Sequence, residues 1–241
     1  MASIPAKGPA LFDHAAPLHC PDVPVRPFIY APPEEGPTII EANDQFVIAL
    51  KPSGLLTVPG RGDELQDCAI ARLQSEYATA TVVHRLDLDT SGVMVFALNK
   101  AAHRHLGLQF EKRRVKKTYI AIIAGHPVEK RGRISLPLIC DWPNRPRQMV
   151  CTENGREAIT DWRIIGREGE NTRVALTPKT GRSHQLRVHL ARMGHPILGD
   201  PFYAQDRDFA ASERLLLHAQ TLGFRHPDGG APLEFNAPCP F

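Results

Sequence analysis

The sequence holds no apolar stretch on the order of eighteen residues, so no membrane-spanning helix is expected. No basic patch followed by an apolar core opens the chain, so no secretory leader is expected either. No CxxC pair occurs. The five cysteines, Cys20, Cys68, Cys140, Cys151 and Cys239, are odd in number and scattered. That spacing supports neither a disulfide framework nor a structural zinc site, and a reducing cytoplasm is the expected compartment. There is no internal repeat, and no second shift in composition marks a second globular unit. What remains is ordinary: 241 residues, 42% hydrophobic and 23% charged, enough chain to bury a sizeable core.

The net charge of +3 says little, but its distribution says more. Lys112, Arg113, Arg114, Lys116 and Lys117 stand close together beside a single acid, Glu111. Lys179, Arg182, Arg187 and Arg192 follow in a stretch without acids. Such clusters fit a polyanionic partner, or equally a solvated helix end followed by an exposed strand.

Nine of the 22 prolines fall in residues 1–37. Proline removes backbone donors and fixes φ, so this segment reads as an extended, weakly ordered arm. Val25, Phe28, Ile29 and Tyr30 could lay its end along a domain surface. Deleting residues 1–36 is expected, on this reading, to leave stability unchanged. The folded part, 38–241, is expected to open with a hairpin of strands at Thr38–Glu41 and Gln45–Leu50 around Asn43-Asp44. Helices are expected over Asp67–Tyr77, capped by Asp67, over Lys100–Lys112, capped by Asn99 with Leu106, Leu108 and Phe110 inward, and from a Ser183 cap to Met193, stopped by Gly194. Strands are expected at Thr81–Val83, Val93–Leu98, Thr118–Ala124, Arg133–Leu136, Gln148–Cys151, Ile159–Ile165, Arg173–Thr177, Leu215–Phe224 and Leu233–Phe235. Strands outnumber helices and many are joined by short turns. The fold class is therefore α+β, with a largely antiparallel mixed sheet, flanking helices and a central cleft if the sheet divides into two lobes.

Between two apolar strands lies Val83-His84-Arg85-Leu86-Asp87-Leu88-Asp89-Thr90-Ser91-Gly92. Two carboxylates, a guanidinium, an imidazole and two hydroxyls in so short a stretch suit either a displayed chemical site or a well hydrogen-bonded turn. HRLDLDTSG resembles the HRLD-x-x-TSG signature of the RluA family of pseudouridine synthases. Lys51-Pro52-Ser53-Gly54-Leu55 is similar to that family's KP-x-G segment, and Lys117-Thr118-Tyr119-Ile120-Ala121 to its K-x-Y-x-A strand. Thr180-Gly181-Arg182-Ser183-His184-Gln185-Leu186-Arg187-Val188-His189 resembles its TGR-x-HQ-x-R-x-H segment. Gly194-His195-Pro196-Ile197-Leu198-Gly199-Asp200 and Leu216-Leu217-His218-Ala219 complete the set, in family order. The segment Leu136–Pro146 is also similar to the short, dual-specificity branch. The S4-type RNA-binding domain that the family often carries has no counterpart in the proline-rich arm.

The resemblance implies a cofactor-free RNA isomerase. It would convert specific uridines in structured loops to pseudouridine, in tRNA anticodon arms, large-subunit rRNA or both. Breaking N1–C1′ and joining C5 to C1′ adds no atom and changes no oxidation state, so no metal is required. Asp87 maps onto the family's single catalytic aspartate, acting as nucleophile at C1′ or as base at C2′. Ordinary glycosidases need two carboxylates to activate water and protonate a leaving group. Here water must be excluded, and Asp89 reads as a turn residue. Tyr119 maps onto the aromatic that stacks on the flipped base, and Arg187 onto the partner that keeps the aspartate ionised and oriented. Arg85 maps onto the residue that fills the place the base vacates. His84, Arg182 and His184, with Lys112, Arg113, Arg114, Lys116 and Lys117, are expected on the RNA side, and Arg131, Arg133, Arg145 and Arg147 offer a second bank. His84, His184, His189 and His195 show no metal-ligand spacing. Ser91 sits in no nucleophile elbow and reads as a capping or turn residue. A non-catalytic RNA-binding or chaperone protein and a carboxylate-dependent nucleosidase are the alternatives. A monomer is expected.

Overall fold

Asn43 turns the chain first. Its Oδ1 accepts from the backbone N–H groups of Gln45 (2.8 Å) and Phe46 (2.9 Å), which folds β1 (Thr38–Ala42) antiparallel onto β2 (Phe46–Lys51). The computed structural model describes residues 23–24, 26–27 and 29–241. After β2 come α1 (Ala69–Gln74), β3 (Thr81–Val82), β4 (Ser91–Ala97), α2 (Lys100–Glu111), β5 (Lys116–Ala124), β6 (Arg131–Ser135), β7 (Leu138–Cys140) and β8 (Gln148–Val150). They are followed by β9 (Ile159–Glu168), β10 (Asn171–Pro178), α3 (Gln185–Arg192), α4 (Asp206–Ala210), β11 (Leu217–Arg225) and β12 (Pro232–Asn236). Ten strands form one sheet in the order β1-β2-β4-β11-β5-β10-β9-β6, with β12 on β11 and β3 on β4, while β7 and β8 form a separate hairpin. Among the described residues only the pair β4 and β11 runs parallel. The fold is α+β, as the pattern of elements predicts.

Every residue of β4 is buried, in keeping with its unbroken apolar run. It starts two residues earlier than expected because Ser91 and Gly92 pair with His218 and Ala219 of β11. Gly92 has φ +124, and a Cβ there would collide with the backbone of Ala219, so only glycine permits this seam. Ser91 is held by hydrogen bonds rather than exposed. Its hydroxyl lies 2.8 Å from His218 Nδ1 and accepts from Arg214 Nη2 at 2.6 Å. Since His218 Nε2 faces the Ala237 carbonyl at 3.2 Å, that nitrogen carries the proton and Ser91 donates to Nδ1.

Three helix expectations change. Asn99 does cap α2, accepting from Ala102 N–H at 2.9 Å, and Leu106 is buried beneath it. Burial of such a leucine contributes roughly 1.5–3 kcal/mol. Leu108 instead is 42% exposed, because two residues at about 100° each carry it past the buried stripe. Cys68, not Asp67, stands at the cap position of α1; Asp67 is drawn away into a two-pronged bond with Arg72 (2.7 and 2.6 Å). His184, not Ser183, precedes α3, in a left-handed conformation with φ 51. Gly194 ends α3 with φ 84, as expected.

The core divides along the sheet. Phe46, Ile48, Val95, Leu106, Leu222 and Phe224 pack on one face, under α2. Val47, Ala49, Met94, Phe96, Leu55 and Leu73 pack on the other, against α1. A third cluster, with Ile123, Leu176, Leu186, Leu190 and Ile197, joins α3 to β5 and β10. Tyr119 touches both the second and the third, so it marks the seam between the two halves.

The described part of the arm is tied down. Val23 is buried, and Arg147 donates to the carbonyls of Val23 (3.2 Å) and Pro24 (2.8 Å). Arg26 lies over the Phe209 ring and donates to Pro201 O, Ala204 O and, at 2.7 Å, to Asp206. Tyr30 donates to Asp67 O at 2.6 Å. Ile29, in contrast, is 83% exposed, while Val25, Phe28 and residues 1–22 lie outside the described residues. These contacts correct the expectation that the arm adds no stability. At about 1 kcal/mol for each anchored side chain, deleting residues 1–36 should cost about 3 kcal/mol. A thermal scan should then show a midpoint ~6–12 °C lower. An unchanged midpoint would show that these anchors do not contribute.

Candidate active site

The loop between β3 and β4 is fixed from below. Lys51, at the end of β2, is 2% exposed, and its ammonium donates to the carbonyls of Pro52 (2.8 Å), Leu55 (2.7 Å) and Leu88 (2.8 Å). Burial pulls this amine down to about 7, and the three carbonyl acceptors favour its charged form. Ser53 donates to Asp89 O at 2.7 Å, Gly54 N–H to Leu88 O at 3.0 Å and Thr57 to Leu86 O at 2.8 Å. The KP-x-G segment is thus a buttress for the loop. With the flanking carbonyls pinned, Asp87 is the carboxylate of this loop that lines the cleft, beside His84, Arg85, Leu86 and Thr90.

The cleft encloses about 1280 Å³. One wall runs from Phe110 to Tyr119, through the end of α2 and the start of β5; the other runs from Thr177 to Arg187, through the end of β10 and into α3. Asp87 Oδ2 lies 3.9 Å from Arg187 Nη1. Arg187 is 2% exposed and is gripped elsewhere, with Nε and Nη2 on Asp200 at 2.8 and 2.6 Å. Asp200 is fully buried, and its Oδ1 also accepts from Phe202 N–H and Tyr203 N–H. Burial works against the Arg187 charge, but Asp200 and then Asp87 outweigh it and push its pKa above the ordinary value. The expected Arg187–Asp87 pair is present as an ion pair at 3.9 Å, and the hydrogen-bonded partner of Arg187 is Asp200. That aspartate stands in the GHPILGD segment, yet nothing local to it announces Arg187, which is 13 residues away.

Tyr119 lines the cleft beside Asp87. Burial, reinforced by the Asp87 charge, raises its phenol above the usual range. It is a neutral ring and hydroxyl donor, unsuited to act as a resting base. Asp89 does not line the cleft; burial raises its pKa, and Arg187 and Lys51 pull the other way. Glu111, exposed at the end of α2, is the other carboxylate on the cleft lining.

The histidines are structural in their contacts. His84 stacks on Phe110, 4.5 Å between centroids, and its Nε2 accepts from Val95 N–H at 3.1 Å. Burial, then Lys117, holds it down to about 3. His184 stacks on Phe202 and shares a 2.7 Å hydrogen bond with the Tyr203 hydroxyl; burial first, then Arg187, brings it down to about 4. His189 sits between Thr160 and the Leu136 carbonyl, brought down to about 4 by burial. Gln185 locks the segment before α3, accepting from Thr180 (2.7 Å) and Arg182 N–H (3.1 Å) and donating to Ile159 O and Thr160.

Of the basic residues, Arg85, Arg113, Arg114, Lys116, Lys117, Lys179 and Arg182 line the cleft; Lys112 does not. Arg85 is exposed and has no hydrogen-bond or ion-pair partner among the described residues. Arg113 pairs with Glu157 at 2.7 Å across the cleft mouth, an exposed bridge worth at most about 1 kcal/mol. Arg182 donates to Glu157 O at 3.0 Å. Lys117 is partly buried with no charge partner among the described residues, and desolvation lowers its pKa. Arg133 is committed to Asp161 and Arg147 to the arm, so the second bank narrows to Arg131 and Arg145.

Comparison with known proteins adds independent findings. Residues 45–192 match the family described as RNA pseudouridylate synthase. The chain is 52% identical over 204 residues to the dual-specificity RNA pseudouridine synthase RluA of Yersinia pestis, covering 84% of this chain and 99% of that protein. It is 51% identical over 214 residues to the protein of the same name from Escherichia coli K12, covering 88% and 98%. Among solved structures, human RNA pseudouridylate synthase domain containing 1 superposes with a TM-score of 0.71 at 30% identity, covering 86% of this chain and 85% of that one.

Proposed function

Because the chain belongs to the RNA pseudouridylate synthase family and is an RNA pseudouridine synthase, we propose that Asp87 carries out the isomerisation on uridines flipped from tRNA anticodon loops and large-subunit rRNA hairpins. One observation carries this reading: Asp87 is turned into a cationic cleft beside a fully buried guanidinium. The uracil enters against Tyr119, and its N1–C1′ bond breaks as Asp87 attacks C1′ or takes the C2′ proton. The detached base turns, C5 joins C1′, C5 loses its proton and N1 gains one, so the atoms balance without a co-reactant. Arg85, exposed and unpaired among the described residues, occupies the gap left in the RNA stack. Domain organisation follows: a catalytic domain over 38–241, preceded by the arm, working on RNA as a cytoplasmic monomer.

The test is carbodiimide-primer-extension mapping of pseudouridine in tRNA and rRNA from a strain lacking this chain. Loss at defined tRNA and rRNA loop positions, restored by the wild-type chain, supports the reading. Unchanged maps would overturn the choice of RNA, and release of free uracil would point to a nucleosidase.

Arg114 and Lys116, exposed on the cleft lining without side-chain partners among the described residues, are assigned to phosphate contacts. Replacing both by Gln should flatten the slope of log K against log salt by about 1.4, at ~0.7 for each lost single-strand contact. Turnover at saturating RNA should change little. A slope that does not move would place the RNA path elsewhere.

A further inference from the structure

The chain's two tryptophans sit in opposite surroundings. Trp162 is buried in the third core cluster, whereas Trp142 is 65% exposed at the tip of the β7–β8 hairpin. That tip is rigid. Trp142–Asn144 form one turn of 3-10 helix, and the Asn144 amide donates to both oxygens of the buried Asp141, at 3.2 and 3.0 Å. Asp141 N–H donates to Arg147 O and Arg147 N–H to Asn144 O, each at 3.0 Å, which closes the tip on itself. One face of the indole is taken by Arg145, whose guanidinium carbon lies 4.3 Å from the ring centre. Arg145 is exposed and has no acid partner among the described residues. The hairpin is joined to the cleft wall. Gln148 N–H of β8 donates to the Tyr203 hydroxyl at 2.7 Å, and that hydroxyl shares a 2.7 Å bond with His184 Nδ1. His184 stands between Ser183 and Gln185, both on the cleft lining, and is close enough to Arg85 for that charge to act on it. The hairpin thus springs from the side of the cleft on which Arg85 lies.

We propose that Trp142, backed by Arg145, is a stacking platform for an unpaired base of the RNA loop beside the flipped uridine. The inference rests on the reading of the substrate as a structured RNA loop. Turning a uridine out of such a loop leaves its neighbours without their stacking partners, and unstacked bases are held on aromatic rings and guanidinium planes. A base needs only one face of the indole, and Arg145 leaves one open. The charge of the tip suits a polyanion, because Asp141, the single acid of Leu138–Val150, is buried and satisfied by Asn144. The hairpin is also continuous with the wall that carries Ser183, Gln185 and Arg187, so RNA seated in the cleft extends onto it. With the tip already ordered, stacking costs little conformational entropy. The segment Leu136–Pro146, similar to the short, dual-specificity branch, thereby gains a role in holding the loop.

The experiment measures tritium release from C5-labelled uridine in an anticodon stem-loop and in a large-subunit rRNA hairpin, using the full chain. Trp142→Ala should raise KM for RNA by about 10-fold, within the range of one lost base–aromatic stack, with kcat within ~3-fold. Trp142→Phe keeps a ring and should stay within ~3-fold of wild type in both. The slope of log K against log salt should not move in Trp142→Ala, because no phosphate contact is lost. Binding is followed by indole emission in Asp87→Asn, which should hold RNA without consuming it. Saturating RNA should quench most of the Trp142 signal, with Trp142→Phe in the same background giving the contribution of Trp162. An abasic site moved through the loop should weaken binding at one position by the same factor as Trp142→Ala, and the two losses should not add. A Trp142→Ala chain with wild-type KM, or a Trp142 emission that RNA leaves unchanged, overturns the proposal. Modification lost in cells carrying Trp142→Ala while the purified reaction is normal also overturns it, and assigns the ring to a protein partner. If the wild-type chain converts neither RNA, the proposed function fails and the platform with it; if it converts them while Trp142 is silent, the platform alone fails.

Discussion

Asp87→Asn is expected to reduce turnover by at least ~10³-fold, about 4 kcal/mol of transition-state stabilisation, while RNA affinity and melting temperature stay near those of the wild-type chain. The amide keeps the size of the carboxylate but loses its charge and its capacity to attack C1′ or accept a proton. Affinity persists because phosphate contacts, made by groups on the cleft walls, supply most of the binding. The fold persists because the loop is held through backbone atoms. Lys51, Ser53 and Thr57 grip the carbonyls of Leu88, Asp89 and Leu86, and none of them touches the Asp87 carboxylate. Asp89→Asn is the matched control and should remain within ~10-fold of wild type, since Asp89 stands off the cleft lining. Substantial turnover in Asp87→Asn, with loss in Asp89→Asn, would show that the wrong carboxylate has been chosen.

The second large effect is acid sensitivity beginning well above the carboxylate range. His184 and His189 are buried, with 9% and 0% exposure, and burial brings each down to about 4 in the folded chain. In the unfolded chain a histidine takes its proton near 6.5, so between these values the unfolded state binds more protons. The stability they contribute is therefore complete above about pH 6.5 and is lost as pH falls toward 4. At pH 5.5 each histidine costs on the order of 1 kcal/mol, with Asp89 opposing in part because its folded carboxyl is raised. Urea titrations at pH 7.5 and 5.5 read the difference. Replacing His189 by Gln should shrink the pH-dependent part even if it lowers stability at both pH values. A stability that is flat across this interval would mean that the buried rings accept protons in the folded state.

Local pattern was enough for much of the molecule. The apolar run Val93–Ala97 of β4 and the Asn99 cap of α2 depend on neighbours in the chain, and the α+β class follows from counting such elements. The chemistry of the His84–Gly92 loop was legible for the same reason: dense polar residues between two core strands are a local signal, and the ordered motifs tie the loop to the Tyr119 strand and to the segment containing Arg187. Errors came where a side-chain partner, near or far along the chain, competed with the role the local pattern suggested. Asp67 is free to cap α1 until Arg72 claims both its oxygens. Arg26 and Tyr30 lie in a proline-rich stretch with no periodicity, and their partners are up to 180 residues away. The site's internal wiring was closed to sequence for the same physical reason. That Lys51 holds the Leu88 carbonyl, that Ser91 and Gly92 form the seam with His218 and Ala219, and that Arg187 gives Nε and Nη2 to Asp200 are consequences of sheet order and of where α3 packs. Sequence determined which charged groups are present near the cleft. Only the tertiary structure decided which of them are already spent on one another, because buried charges pair by proximity in space and not along the chain.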